Sequence, residues 1–204
     1  MPPNQLILLV KAPRPGLVKT RLAADLGPAE AASAYRTLVE NLLHRLRDLP
    51  ELELHFAPDD ALQDIRQWLR NGWTAKPQCA GDLGHRLQTA FSDAFASGTQ
   101  KVVIIGSDCP SVEPEDICAA WEGLSTQDVV LGPANDGGYW LIGLRQPREE
   151  LFVNMPWSTP AVLQETLQRC LANGLQVLLL RELSDVDTKE DWQAFLQSLV
   201  SRHV

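Results

Sequence analysis

The chain has 204 residues, 45% of them hydrophobic, and its 26 acidic and 18 basic residues give a net charge of -8. The length predicts one folded domain over residues 1–204, and the acidic balance argues against a general nucleic-acid surface. The apolar runs are far shorter than the roughly 18 residues that a membrane helix needs and no signal peptide precedes Leu6, so we expect a cytoplasmic protein without membrane insertion.

Apolar runs alternate with segments of helical periodicity along the chain, and this alternation predicts a layered α/β protein. Strands are predicted at 5–10, 52–57, 101–106, 127–132, 138–144 and 175–181, with a weaker one at 74–79. Helices are predicted at 28–49, 59–70, 82–97, 113–124, 160–173 and 188–201. The turn-forming residues 134–138 can return the chain antiparallel. We therefore expect an α/β/α sandwich with a mixed, mainly parallel sheet.

A basic segment follows the first predicted strand. Lys11, Arg14, Lys19 and Arg21 place four cations within eleven residues, around Gly16. In α/β folds ligands bind outside the carboxyl ends of the strands, and backbone N–H groups with Lys and Arg side chains suit phosphate. The segment predicts an anion site, although a solvated basic loop is the alternative. The Walker pattern of P-loop proteins is absent.

Asp108 stands directly after the apolar strand at 101–106, in the segment Gly106–Pro110. Mg²⁺ is typically held by one or two carboxylates together with substrate phosphates, so Asp108 is a candidate metal ligand. The alternative is a helix cap or an Asx turn before Pro110. Cys109 has no nearby histidine that would indicate an activated thiolate, and we expect it to be a small filler residue.

The segment Gly132–Gly143 combines a turn with polar side chains. Asn135 and Asp136 offer amide and carboxylate groups, and Gly137 and Gly138 permit close approach of a ligand to the backbone. This loop could hold a sugar or a base, or it could be a plain hairpin turn. Tyr139 and Trp140 lie on opposite faces of a regular strand, so one of them is expected to line the site.

Two further segments carry carboxylates. Asp82 opens a predicted helix, where it either caps the helix or contacts a ligand. Near the C-terminus, Thr188 with Asp191 three residues later is typical of a capping box, which leaves Asp185 and Asp187 without a structural reason. One of these two aspartates could be a second metal carboxylate. The four cysteines have no C-x-x-C spacing, which argues against a zinc site or a disulfide framework.

These segments together resemble the nucleotide-diphospho-sugar transferase superfamily of GT-A fold. More closely, the chain is similar to a bacterial family described as glycosyltransferases, some of them linked to arsenosugar biosynthesis, and related to sugar and cofactor nucleotidyltransferases. The resemblance runs from Leu6 to about Trp192. It depends on an ordered set of motifs: KAPRPGLVKTRL, GDLGHRL, GSDCP, GPANDGGYWLIG, MPWST and DVDTKEDW.

The resemblance implies which residues serve the site. Arg14, Lys19 and Arg21 would contact nucleotide phosphates, Asp108 would bind a divalent metal, and Asp136 and Asp187 would face the same pocket. In full, the predicted catalytic residues are Lys19, Asp108 and Asp136; the binding residues are Lys11, Arg14, Gly16, Lys19, Arg21, Asp82, Asn135, Gly137 and Gly138; the metal ligands are Asp108 and Asp187.

The implied function is a transferase dependent on Mg²⁺ or Mn²⁺ that uses a nucleotide or nucleotide-sugar donor and a small-molecule acceptor. Glycosyl transfer from a nucleotide-diphospho-sugar is the first hypothesis. Pro110 replaces the second aspartate of the Asp-x-Asp motif found in many GT-A glycosyltransferases, which keeps nucleotidyl transfer with release of pyrophosphate as an alternative. A nucleotide-binding protein without catalysis is a third. The sequence leaves the oligomeric state open.

Overall fold

The computed structural model describes residues 3–50 and 52–201. Over those residues the chain forms seven strands: β1 (Asn4–Lys11), β2 (Leu52–Ala57), β3 (Thr74–Pro77), β4 (Lys101–Ile105), β5 (Val129–Pro133), β6 (Tyr139–Leu144) and β7 (Val177–Leu179). The α-helices are α1 (Thr20–Leu26), α2 (Pro28–Arg45), α3 (Leu62–Ile65), α4 (Leu83–Ala96), α5 (Pro114–Gly123), α6 (Val162–Ala172) and α7 (Lys189–Ser201). Short 3₁₀ turns cover Leu46–Asp48, Arg66–Trp68 and Glu149–Leu151.

The strands form one sheet in the order β3-β2-β1-β4-β6-β5-β7. Strand β6 runs antiparallel to β4 and β5, whereas the other neighbouring strands pair in parallel. The expected mixed, mainly parallel sheet is confirmed. The chain moves outward from β1 to β3 and then returns to the other side of β1 as β4, which creates a switch point between β1 and β4.

Helices cover both faces of this sheet. On one face α2 and α5 pack on alternate sheet residues such as Leu8 and Val103, and on the other α4 and α6 pack on their neighbours Ile7 and Ile104. Because the central strands are buried on both sides, they appear in the sequence as continuous apolar runs. This arrangement confirms the α/β/α layers.

Two helical segments depart from the sequence expectations. Helix α1 lies within and just after the basic segment and was not predicted, because seven residues give periodicity little room; its buried Leu22 packs on Ala31 and Ala34 of α2. The helix expected over 59–70 is reduced to α3 and a 3₁₀ turn. No helix of the described residues is long and apolar enough to cross a membrane. The single domain over 1–204 and the cytoplasmic location stay predictions.

Candidate active site

A cavity of about 720 Å³ opens at the switch point, where β1 and β4 end side by side. Its lining comes from stretches of the chain that are far apart in sequence: 9–11, 18–21, 78–86, 106–109, 139–140 and 185–187, with Tyr35 and Ser158. Such a volume accommodates a nucleotide-sized ligand. Since β6 is antiparallel, its amino end also reaches this edge, and both Tyr139 and Trp140 line the cavity.

Lys19 is the central charged group of the cavity. Its Nζ lies 2.5 Å from Asp108 Oδ1 and 3.0 Å from Asp187 Oδ1, and its side chain is only 3% exposed. Burial lowers the pKa of the Lys19 ammonium, but the charges and hydrogen bonds of Asp108 and Asp187 outweigh burial, so the pKa is raised above its ordinary value. Lys19 is therefore a charged ammonium that joins the end of β4 to the segment before α7.

Backbone pairing explains why the aspartates near the C-terminus reach Asp108. After β7 the chain pairs Leu183 with Ala134, and the Val186 N–H donates to the Asp108 carbonyl at 3.0 Å. This contact places Asp185 and Asp187 on either side of Val186, next to the end of β4. The capping box predicted at Thr188 and Asp191 is confirmed: the Asp191 N–H donates to Thr188 Oγ1, and the Thr188 N–H donates to Asp191 Oδ2.

Asp185 also lines the cavity, and its carboxyl group has a raised pKa. Burial raises its pKa to about 7, with a further contribution from the negative charge of Asp108, although Lys19 acts in the opposite direction. Cys109, in contrast, stays a neutral thiol, because burial raises the pKa of its thiol to about 12. A buried filler role for Cys109 is confirmed.

A hydrogen-bonded tyrosine supports the floor of the cavity. Tyr35 Oη accepts from the Lys11 N–H at 2.9 Å and lies 2.8 Å from Ser107 Oγ. Burial raises the pKa of Tyr35, so it stays a neutral phenol. This contact ties α2 to the ends of β1 and β4 and holds in register the two loops that carry Lys19 and Asp108.

The cavity lining also contains Arg86, an arginine that sequence reasoning missed. Arg86 Nε donates to the Gly81 carbonyl at 3.1 Å and its Nη1 donates to Gln78 Oε1 at 3.2 Å. Gln78 in turn donates from Nε2 to the carbonyls of Val10 and His55. The sequence signal was an arginine within the motif GDLGHRL, but only the fold shows that Gln78, just beyond β3, holds it.

Six predicted site residues line the cavity: Lys11, Lys19, Arg21, Asp82, Asp108 and Asp187. Asp82 also caps α4, because the His85 N–H donates to its Oδ1 at 2.8 Å. The remaining six are not among the lining residues: Arg14, Gly16, Asn135, Asp136, Gly137 and Gly138. Their binding and catalytic roles, like those of the six lining residues, stay predictions.

Local contacts explain where two of the non-lining residues lie. Arg14 is held by carboxylates, with Nη1 2.9 Å from Asp60 Oδ1 and Nη2 2.6 Å from Asp64 Oδ2. Asp136 forms an Asx turn in which the Gly138 N–H donates to its Oδ1 at 2.9 Å. The negative charge of Asp136 nevertheless contributes to the raised pKa of Asp185, which lines the cavity.

The donor set at Lys19 suits a hard divalent cation. Asp108 and Asp187 already face one cation, and their side chains are 51% and 37% exposed, so part of each carboxylate is open to the cavity. Among the described residues, no group of three or more His, Cys, Asp or Glu side chains could hold a metal by itself. The residues therefore fit a cation that takes its remaining ligands from substrate oxygens, as Mg²⁺ commonly does.

Two solved structures show which known proteins share the fold of this chain. The crystal structure of a "putative nucleotide-diphospho-sugar transferase" from Desulfovibrio desulfuricans G20 is 34% identical, with a TM-score of 0.88 over 97% of this chain and 88% of that one. A cytidylyltransferase from Leptospira borgpetersenii has a TM-score of 0.64 at 13% identity, over 99% and 88% of the two chains, and shows a shared fold.

A curated relative and a family description complete the comparison. Phosphoenolpyruvate guanylyltransferase from Chloroflexus aggregans is 26% identical over 121 residues, which are 56% of this chain and 59% of that protein. This chain thus matches less than two thirds of that relative. The DUF2064 family, described as "Uncharacterized protein conserved in bacteria", matches residues 42–159, more than half of the chain. The chain belongs to the DUF2064 family and has the fold of the nucleotide-diphospho-sugar transferases and nucleotidyltransferases.

Proposed function

We propose that the protein is a nucleotidyltransferase that joins a nucleoside triphosphate to a phosphorylated small-molecule acceptor and releases pyrophosphate. The observation that carries this proposal is the cluster of Asp108, Lys19 and Asp187 at the switch point. One aspartate after β4 and one before α7 serve where many glycosyltransferases of this fold use an Asp-x-Asp motif. The guanylyltransferase relative supports the same choice.

The proposed reaction is substitution at the α-phosphorus. An oxygen of the acceptor phosphate forms a bond to the α-phosphorus, and the bond from the α-phosphorus to the bridging oxygen breaks, with its electron pair leaving on pyrophosphate. A phosphate monoester has its second pKa near 6, so its oxygen is already an anion at neutral pH and needs no general base. The chemistry then depends on position and charge rather than on proton transfer.

The residues of the cavity supply both requirements. Lys11 and Arg21 line the basic wall and would hold the β- and γ-phosphates, while Lys19 would balance negative charge that grows on the leaving pyrophosphate. Mg²⁺ or Mn²⁺ held by Asp108 and Asp187 would supply a Lewis acid at the phosphates. Arg86, which Gln78 holds and which also lines the cavity, would add its guanidinium to these charges.

The test is an assay of pyrophosphate release with each common nucleoside triphosphate, Mg²⁺ or Mn²⁺, and a panel of phosphorylated acceptors that includes phosphoenolpyruvate. The wild-type protein should release pyrophosphate and form a product with a new diphosphate linkage, visible by ³¹P NMR. Asp108→Asn should reduce turnover at least ~100-fold while its melting temperature stays within a few degrees of wild type. Full activity in Asp108→Asn would refute the assignment of the site.

Glycosyl transfer is the second candidate, and Asp185 is the observation that favours it. Transfer to an acceptor hydroxyl needs a base, and a base works best when its pKa lies near the working pH. Asp185 lines the cavity with a pKa raised to about 7, whereas Asp136, the base suggested by the sequence, is outside the lining. The 34% identical relative from Desulfovibrio desulfuricans also supports this candidate.

One variant separates the two chemistries. Asp185→Asn removes a carboxylate base with little change in shape. Glycosyl transfer should then fall by at least ~100-fold, and nucleotidyl transfer should keep most of its rate because its nucleophile is already ionised. A hydrolysed or transferred sugar from a nucleotide-sugar donor, with no pyrophosphate released from any triphosphate, would favour the second candidate.

A further inference from the structure

The Lys19 ammonium stands where a metal ion would bind. It contacts an oxygen of Asp108 at 2.5 Å and an oxygen of Asp187 at 3.0 Å, and these are the two carboxylates that fit a divalent cation. The nearby Arg21 differs sharply: its Nη1 is 3.5 Å from Asp187 and its side chain is 77% exposed. Lys19 is therefore buried between the two carboxylates, whereas Arg21 lies exposed at the rim of the pair.

The backbone of Lys19 is held in an unfavourable conformation. Its φ of 47° and ψ of 50° place a lysine in the left-handed region, which costs a non-glycine residue about 1–2 kcal/mol. Lys19 is also the residue that precedes α1, and its carbonyl accepts from the Ala23 N–H at 2.8 Å. The start of α1 thus holds the residue in a conformation in which its side chain is buried between the carboxylates.

We infer that Lys19 is an internal counter-ion that excludes divalent cations from Asp108 and Asp187 until a nucleotide gives its ammonium other oxygens to bind. The inference rests on the proposed function, because it assumes that this carboxylate pair serves metal and nucleotide together. The ammonium fills the gap between Asp108 Oδ1 and Asp187 Oδ1, so a metal ion that bridges these two oxygens must displace it. We therefore expect the metal and the nucleotide to enter together, because the nucleotide phosphates offer the displaced ammonium new oxygens.

The first test measures Mn²⁺ binding by calorimetry in the absence of nucleotide. The wild-type protein should bind weakly, with a Kd on the order of 1 mM or above. Lys19→Met removes the ammonium and should bind Mn²⁺ at least ~10-fold more tightly. Arg21→Met is the matched control, because it removes one positive charge from the rim, and its affinity should change by less than ~3-fold.

A second variant guards against misfolding. Lys19→Gly also removes the ammonium, and glycine adopts a φ of 47° without strain. It should show the same gain in Mn²⁺ affinity as Lys19→Met, and Mn²⁺ should raise its melting temperature by more than it raises that of the wild type. If Lys19→Met fails to fold, the gain in Lys19→Gly alone carries the inference, whereas folded variants without any gain in Mn²⁺ affinity would overturn it.

The remaining outcomes separate this inference from the proposed function. Tight Mn²⁺ binding by the nucleotide-free wild type, or equal gains in Lys19→Met and Arg21→Met, would overturn the role of Lys19 and leave nucleotidyl transfer intact. If Mn²⁺ binds to none of the four proteins even with a nucleoside triphosphate present, the metal site in the proposed function fails as well.

Discussion

Gly84 lies so close to Trp157 that a Cβ at position 84 would stand 2.7 Å from the indole Nε1. The same Cβ would be 2.6 Å from the Phe152 carbonyl oxygen, and a backbone group cannot rotate away. Through this contact the segment that carries Asp82 and Arg86 packs against the loop that carries Ser158. Both segments contribute residues to the lining of the cavity.

Gly84→Ala should therefore destabilise the protein by about 1–3 kcal/mol and weaken nucleotide binding, since the wall must shift to admit a methyl group. Urea unfolding and calorimetry measure the two effects. Gly106→Ala is the control for stability, because a Cβ there meets no atom within 4 Å. Equal stability of the two variants would contradict the tight packing at Gly84.

Asp185 should make the stability of the metal-free protein fall as the pH rises. Its pKa is about 7 in the folded chain and near 4 when unfolded, so between these values the folded state binds the extra proton. Stability contributed by this group is full below about pH 4 and is lost as the pH rises through 7. Asp185→Asn should be more stabilising at pH 8 than at pH 5 in urea unfolding, and a difference independent of pH would contradict the raised pKa.

The pair of Glu53 and His55 should have the opposite pH dependence. A hydrogen bond from His55, together with its charge and that of Lys76, outweighs burial and lowers the pKa of Glu53 to about 2. The stability that this carboxylate contributes is present above its unfolded pKa near 4.5 and is lost as the pH falls towards 2.

Glu53→Gln should accordingly lower the free energy of unfolding by about 1–3 kcal/mol at pH 7 and by much less at pH 3. Denaturant unfolding at the two pH values measures this difference. The exposed Glu122 offers a control, since Glu122→Gln should change stability by no more than about 0.5 kcal/mol at either pH. An equal loss at pH 3 and pH 7 would show that the Glu53 charge is not responsible.

Arg14 should matter less for nucleotide binding than the basic motif suggests. Because Asp60 and Asp64 neutralise its guanidinium outside the cavity lining, Arg14→Met should change nucleotide affinity by less than ~3-fold. Arg21→Met, from the lining, should weaken affinity by ~10-fold or more in the same titration. If Arg14→Met loses as much nucleotide affinity as Arg21→Met, Arg14 contacts the phosphates and this prediction is wrong.

The sequence by itself determined the layered fold and the segments that meet at the cavity. Strands buried on both faces must be apolar along their whole length, so β1 and β4 could be read directly from residues 5–10 and 101–106. Residues that follow parallel strands reach the same sheet edge, and both Lys19 and Asp108 follow such strands. Helix α1 escaped this reasoning, because its stability comes from packing Leu22 on α2 rather than from its own pattern.

Only the tertiary structure decided which charges share the site. The four cations of the basic motif cannot be told apart in the sequence. In the folded chain Arg14 pairs with Asp60 and Asp64, whereas Lys19 is buried between Asp108 and Asp187. A backbone hydrogen bond from the Val186 N–H to the Asp108 carbonyl brings Asp185 and Asp187 next to Asp108, although these residues are almost 80 positions apart in the chain. Charges and hydrogen bonds act over a few ångströms in space, and the separation of residues along the chain does not reveal that distance.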